Sequence, residues 1–581
     1  MFITSAIIAT TLVSTDIRIE QVLPENTIAV LSVSDVSEFV SHLENLGVCD
    51  AVCEAYQSVK GGEGETCQLT QLCTQLDANL GADEKIIIPN GHAGMGIYPV
   101  VDFEVGSVGL GAMMLLHVGD SNVGDVMFKT LDAQGSDLEI EFETVSISGR
   151  EVLRLQNDFG PIAAQMPVPI DFSSMLQLYL AYTDGYIIMG TEPDGIAALF
   201  AAIDGDAPED SLETNDDYVE LMDRCGTDGD IQGVVLLTNL ADTFAQMDTS
   251  GMGLMFLPML KSVIGDIDGI AQSIALSPTK DTIMSGTYAL VMGDGRNGLM
   301  SLLGSNSHMV EIPAFVGEDT ISYSQSHINY DQIAPLVKEI TAANPMLSMQ
   351  MNPQMMEQLQ MSIEMFTSTL GTQTHVTSTG SLPYSAESYG HLMAIECVKE
   401  EQLSNVLGMM LPSMGATPSD FLGNQIFTMD LGSSMMMPIP MNLSFSIAVG
   451  GGYAFLGNSN AVENALRSIA NPKESKSDHG ANAASTLIGN SDVSGWGYGD
   501  PLKSLKIQLQ MSKEASDEMF AQMAEFDPEM AEEMLADVAH ADSIQDAIVK
   551  CMSLFLGPMS WNMTTDETGI TSEIIMVKPT E

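Results

Sequence analysis

Four of the seven cysteines, Cys49, Cys53, Cys67 and Cys73, fall within a stretch of 25 residues. Three residues separate the first two and five the last two. This nested spacing lets two helical turns face each other across the polar turn Lys60-Gly61-Gly62-Glu63-Gly64-Glu65. Thiols so placed can do one of two things. Joined as Cys49–Cys73 and Cys53–Cys67, they staple a helical hairpin over about residues 47–80. As four thiolates they would hold zinc, but the two-residue knuckles usual in such sites are missing. Disulfides are therefore the expectation, and no metal is assigned. Cys225, Cys397 and Cys551 stand singly and read as buried apolar residues.

Other reactive patterns fail on context. The sequence lacks His-Glu-x-x-His, Gly-x-Ser-x-Gly and a phosphate loop ending in Gly-Lys-Ser or Gly-Lys-Thr. Gly293-Asp294-Gly295-Arg296-Asn297-Gly298 has dinucleotide-type spacing, yet it follows an antiparallel hairpin and precedes only about one apolar turn. Asp294 would also face the pyrophosphate. Ser277-Pro278-Thr279-Lys280 has the serine and lysine spacing of penicillin-binding enzymes, but Pro278 and the Lys280-Asp281 turn put it in a hairpin, where a helix start is needed. His92, His117, His308 and His391 are scattered without ligand spacing. Carboxylates are too abundant for any pair to be diagnostic. No catalytic residue and no cofactor is assigned.

Methionine is abundant, at 42 residues. Met346, Met349, Met351, Met355, Met356, Met361 and Met365 crowd one stretch, and Met435, Met436, Met437 and Met441 another. Thioether clusters can bind copper(I). Asn352-Pro353 is a helix start, however, and Met356, Leu359, Ile363, Phe366 and Leu370 recur at helical spacing, so core or adaptable apolar surface is expected.

The formal charge of -58, from 78 acidic and 20 basic residues, is spread along the chain. Such a surface repels polyanions, which excludes nucleic acid as a partner and disfavours anionic lipid headgroups. The densest acidic stretch, Asp204 to Asp217, lacks calcium-loop spacing, and Asp266-Ile267-Asp268-Gly269 is a loop fragment without its distal Glu. The acidity suits solubility in saline surroundings better than cation binding.

These residues must be positioned by a chain that repeats itself. Tyr182-Thr183-Asp184-Gly185-Tyr186-Ile187-Ile188-Met189-Gly190 returns 267 residues later as Val449 to Gly457. Leu23-Pro24-Glu25-Asn26-Thr27-Ile28 matches Val316-Gly317-Glu318-Asp319-Thr320-Ile321, and Asp230-Ile231-Gln232-Gly233 matches Asp492-Val493-Ser494-Gly495. The reading is a tandem duplication of two α+β domains, each a mainly antiparallel sheet packed with helices. The expected boundaries are 1–15 for an export segment, 16–303 for the first domain, 304–311 for a linker and 312–581 for the second domain. Strands are expected at 27–33, 94–101, 108–118, 138–147, 151–156, 176–182, 186–190 and 233–238, with a final hairpin over 271–292. Helices are expected from Asp35, over 196–203 and 217–225, and through 241–264. The first copy carries about 26 extra residues, for which the cysteine hairpin is the natural candidate.

Phe2 to Val13 is an apolar run of export-signal length and too short to span a bilayer. No other apolar stretch reaches about 18 residues, so no transmembrane segment is expected. Leu23-Pro24-Glu25-Asn26-Thr27-Ile28-Ala29-Val30 resembles the start of uncharacterised exported bacterial proteins of the planctomycete type. Asp492-Val493-Ser494-Gly495-Trp496-Gly497-Tyr498-Gly499-Asp500-Pro501-Leu502 is similar to another stretch of that group. The resemblance implies an extracytoplasmic protein and supplies no catalytic residues. The functional expectation is a non-catalytic binding or scaffolding protein in the periplasm or at the cell surface. The alternative is a carrier that holds an apolar ligand such as a lipid between sheet and helices.

Overall fold

Alternating burial sets the first strand: Val30 and Ser32 are buried while Leu31 between them is 43% exposed, the period of two that a sheet imposes. The computed structural model describes residues 17–47, 91–102, 107–119, 141–156, 177–247, 253–343, 353–380, 388–430, 444–472, 492–526 and 549–578, apart from a few short gaps inside these spans. In the first half the elements are β1 (Ala29–Val33), α1 (Val36–Asn45), β2 (Ala93–Asp102), β3 (Ser107–His117), β4 (Glu141–Ile147), β5 (Arg150–Gln156), β6 (Gln177–Thr183), β7 (Tyr186–Gly190), α2 (Pro193–Ile203), α3 (Asp216–Cys225), β8 (Ile231–Leu236), α4 (Leu237–Met247), α5 (Gly253–Ile264), β9 (Ile267–Leu276) and β10 (Thr282–Met292). The second half contains β11 (Thr320–His327), α6 (Ile333–Ala343), α7 (Pro353–Thr367), β12 (Leu370–Gly380), β13 (Tyr389–Cys397), α8 (Glu400–Met410), β14 (Thr417–Phe421), β15 (Asn424–Asp430), β16 (Ser444–Gly450), β17 (Tyr453–Gly457), α9 (Ser459–Ala470), β18 (Gly495–Gly499), α10 (Pro501–Phe526), β19 (Met559–Thr565) and β20 (Gly569–Val577).

Among the described residues, twenty strands pair antiparallel into one sheet. Its centre is the β10–β20 ladder, which runs from Thr282 opposite Val577 to Val291 opposite Gly569. Outward from β10 the strands follow as β9, β8, β1, β2, β3, β7, β6, β5 and β4. Outward from β20 they follow as β19, β18, β11, β12, β13, β17, β16, β15 and β14. The two sequences of pairings are the same when ten is added to each strand number.

Helix starts follow local chemistry. Asp35 caps α1 by accepting from the Glu38 amide, and Asn215 caps α3 by accepting from that of Tyr218. Pro193 opens α2, whose Ile196, Leu199 and Phe200 form its buried face. α2 lies on β7 and β3, α3 on β9 and β10, and α9 on β16 and β13. Each half therefore has its own core, with Ile188, Leu199 and Phe200 in the first and Tyr323, Phe455 and Trp496 in the second. Leu46, Ile283 and Met576 form a smaller cluster at the junction. Arg224 of α3 fastens it further, donating to both oxygens of Asp566 at 2.9 and 3.2 Å.

Several expectations shift. Leu237 and Thr238 belong to α4, not to the preceding strand, and the helical region after it is two helices. Ile267 and Asp268 lie in β9, so the calcium-loop fragment is strand. The expected linker is fastened to the second half: Asn306 exchanges hydrogen bonds with the Thr565 backbone, and Ser307 bridges Val493. α7 begins at Pro353 as expected; Met355, Met361 and Met365 on it are 50%, 55% and 46% exposed, the adaptable-surface alternative, while Phe366 packs against the cluster of Leu403 and Leu407. Ser277, Pro278, Lys280 and Met435 to Met441 lie outside the described residues.

Among the described residues, four two-residue hairpins turn through positive φ at both central positions: Ser148-Gly149, Asp184-Gly185, Leu422-Gly423 and Gly451-Gly452, the twist that suits flanking strands. Leu422 is the costly member. Its φ is 54° and its side chain is exposed, so nothing offsets about 1 kcal/mol of steric cost. Leu422→Asn is expected to raise stability by about 0.5–1 kcal/mol, read from urea unfolding midpoints. An unchanged or lowered midpoint would contradict the turn assignment.

Candidate functional site

The four candidate disulfide cysteines, Cys49, Cys53, Cys67 and Cys73, lie outside the described residues, as does Cys551. Cys225 and Cys397 are free and buried. Burial pushes the Cys225 thiol up to about 11, and its sulfur donates to the Thr287 carbonyl at 3.2 Å. A thiol held protonated in this way is no nucleophile.

His92, His117, His308 and His391 do not converge. His92 sits 3.6 Å from buried Glu20, His117 lies against the Tyr186 ring, His308 pairs with Asp492 at 2.6 Å, and His391 bonds Ser378 at 3.0 Å. His42 lies 3.1 Å from Asp230, and Glu38 stands one helical turn before it; the three ligand atoms fall within 4.8 Å of one another. The cluster has metal-type chemistry, but Asp230 already accepts from the Leu276 amide at 2.6 Å while its carbonyl accepts from Ser34. Asp230 thus fastens a corner of β1, β9 and α1, the first through its carbonyl and the other two through its carboxylate. Its repeated Asp-x-x-Gly block is visible in the sequence; its histidine partner, 188 residues away, is not.

A second unforeseen pair is Ser307 and His327, whose Oγ and Nε2 are 2.6 Å apart. Serine beside imidazole is the start of nucleophilic catalysis. Here burial lowers the His327 pKa, and neither residue lines any of the three described pockets. In the adjacent core, Tyr323 Oη lies 2.9 Å from Nδ1 of fully buried His375. Desolvation first, and His327 second, hold the His375 pKa down at about 4. Trp496 donates its indole N–H to Gln325 Oε1 at 3.1 Å.

The described pockets have volumes of about 730, 290 and 220 Å³. The largest is an open groove edged by Glu400, Glu401 and Asp420, and the smallest meets Arg18, Ser34 and His92. The intermediate one lies between α9 and strands β12 and β13. Apolar surface collects elsewhere. Leu31, Met95, Val235 and Ile270 are 43%, 45%, 37% and 43% exposed. They project from the sheet face opposite Val30, Val234 and Ala271, and Leu31 pairs with Met95 as Val235 pairs with Ile270.

No helix among the described residues is long and apolar enough to cross a membrane. Comparison with family models, curated proteins and solved structures yields no match.

Proposed function

We propose that this chain is an exported, non-catalytic binding or scaffolding protein, built by tandem duplication of a ten-stranded unit, that docks a protein partner on the open apolar face of its first half. The duplication reading rests on the identical pairing order in the two halves and on the repeated blocks at Leu23, Asp184 and Asp230. Export rests on the apolar run from Phe2 to Val13 and on the resemblance carried by Leu23 to Val30. The contiguous exposure of Leu31, Met95, Val235 and Ile270 carries the functional reading, because apolar surface left in water at about 25 cal/mol per Å² is a standing drive for association. Because the chain as a whole carries a net charge of -58, the partner that fits is a protein surface with an apolar centre and a rim of Lys and Arg. A lipid carrier would instead use an enclosed apolar cavity, and the described pockets are open or edged with polar groups.

Photoreactive residues placed at Leu31 and at Ile270, in cells that make the protein, test the reading. Both positions are expected to give the same discrete adduct, weakened by high salt, while Met409, 74% exposed on α8, gives none. Equal labelling at all three positions, or none at the first two, would sink it.

A further inference from the structure

The 290 Å³ pocket marks a place where the two halves differ in what fills them. In the first half Val30, Gly96, Met113 and Gly190 stand in one row across β1, β2, β3 and β7. In the second, Tyr323, Thr377, Leu392 and Gly457 form the corresponding row across β11, β12, β13 and β17. Two residues further along the second strand of each row, Tyr98 corresponds to Thr379, and their cross-strand neighbours are Gly111 and Gly390. In the helices that follow, buried Gly195, Ile196, Leu199 and Phe200 match buried Ala461, Val462, Ala465 and Leu466 in spacing. Tyr98 and Leu199 are both buried, and the Tyr98 hydroxyl lies 2.5 Å from where a Cβ on Gly195 would stand. Where the first half packs a phenol ring and an isobutyl group, the second has Thr379 and Ala465, and space remains.

The chemistry of that space is graded. Phe315, Leu392 and Ala465 give it apolar walls. Thr377, which lines it, is 2% exposed and its hydroxyl has no hydrogen-bond partner among the described residues, an arrangement that costs about 1–3 kcal/mol unless something in the pocket satisfies it. Arg467 and Asp319 are exposed at the rim, and no ion pair joins them to each other or to another described residue. Arg467 donates to Asn464 Oδ1 at 2.7 Å and its guanidinium lies over the Phe421 ring at 5.4 Å, contacts that hold it in place without a carboxylate and leave its charge able to take an anion.

From these observations we infer that the pocket binds an aromatic α-amino acid. Its carboxylate faces Arg467, its ammonium faces Asp319, its ring occupies the volume that Tyr98 and Leu199 fill in the first half, and a ring hydroxyl reaches Thr377. A volume at the lower end of the range for small-molecule sites suits a ligand of this size. The site is separate from the open face proposed for a protein partner. The placement of the ring and the choice of filling substitutions rest on the equivalence of the halves; the placement of the carboxylate and ammonium does not.

Ligand-observed NMR on the full chain tests it, with L-tyrosine, L-phenylalanine, tyramine and 4-hydroxyphenylpropionate as probes. Tyrosine is expected to bind most tightly, and loss of the hydroxyl, the carboxylate or the ammonium is each expected to weaken binding about tenfold. Thr379→Tyr with Ala465→Leu should abolish binding with unfolding cooperativity retained. Arg467→Gln, at an exposed position, should weaken tyrosine about tenfold but leave tyramine unchanged. If the double variant fails to fold while Arg467→Gln has its expected effect, the pocket stands and the equivalence of the halves falls. Absence of tyrosine binding to the unaltered protein, or tyrosine and tyramine binding alike, overturns the proposal.

Discussion

Lowering the pH from 7 to 4 is expected to cost the second half about 3 kcal/mol through His375 alone. The imidazole is fully buried between β11 and the rings of Phe315 and Tyr453. Its folded pKa of about 4 lies below the ordinary histidine value of about 6.5. Between those values the unfolded chain binds a proton that the folded chain refuses. Stability is therefore full above pH 6.5 and declines as the pH falls towards 4. Burial also lowers His327 and His391, which act in the same direction. Protonation of the many carboxylates relieves repulsion and opposes the trend, so the diagnostic quantity is a difference. Urea unfolding of the wild type and of His375→Gln should diverge by about 3 kcal/mol between the two pH values. A difference that stays constant with pH would mean that folding does not lower the His375 pKa.

The second large effect is expected at Trp496. It is 1% exposed, meets Tyr323 edge-on at 5.2 Å between ring centroids, and satisfies Gln325 through its indole N–H. Trp496→Ala should cost about 3–5 kcal/mol, because it removes the ring, leaves a cavity and strands the Gln325 carbonyl. Trp561, the other tryptophan, is half-buried and lies over Gly497. Its replacement by Ala should cost clearly less, since part of that ring is already in water. Denaturant unfolding followed by circular dichroism measures both. Equal losses, or a loss under about 1 kcal/mol at Trp496, would contradict the packing of the second core.

Local chemistry made the strands and hairpins legible. Asp184-Gly185 specifies its turn because both residues tolerate positive φ, and β7 begins and ends where the apolar run after that turn predicts. The β8–α4 boundary was not legible, since Leu237 and Thr238 extend the strand pattern. The Thr238 hydroxyl lies 3.2 Å from Asp217 Oδ2, a partner set by tertiary packing. The β10–β20 ladder joins residues some 290 positions apart, and no short-range pattern encodes such a pairing. The Ser307–His327 contact was hidden for a similar reason: the segment that reads as a linker is fastened to the sheet. The pocket beside Thr377 has no motif at all, because its lining comes from β12, β13, α9 and the segment before β11, which are far apart in the chain.

The central claim is that both halves form one continuous antiparallel body, which holds the open face and the pocket in fixed relation. Native-state hydrogen exchange across β10 and β20 tests this most directly. Amides of Tyr288 to Leu290 and of Ile570 to Ile574 are expected to be protected to the same free energy as those of β1 and β11, since a shared ladder opens only with its neighbours. If β10 and β20 exchange at the rate of exposed loops while β1 and β11 stay protected, the halves are separate bodies and the account is wrong.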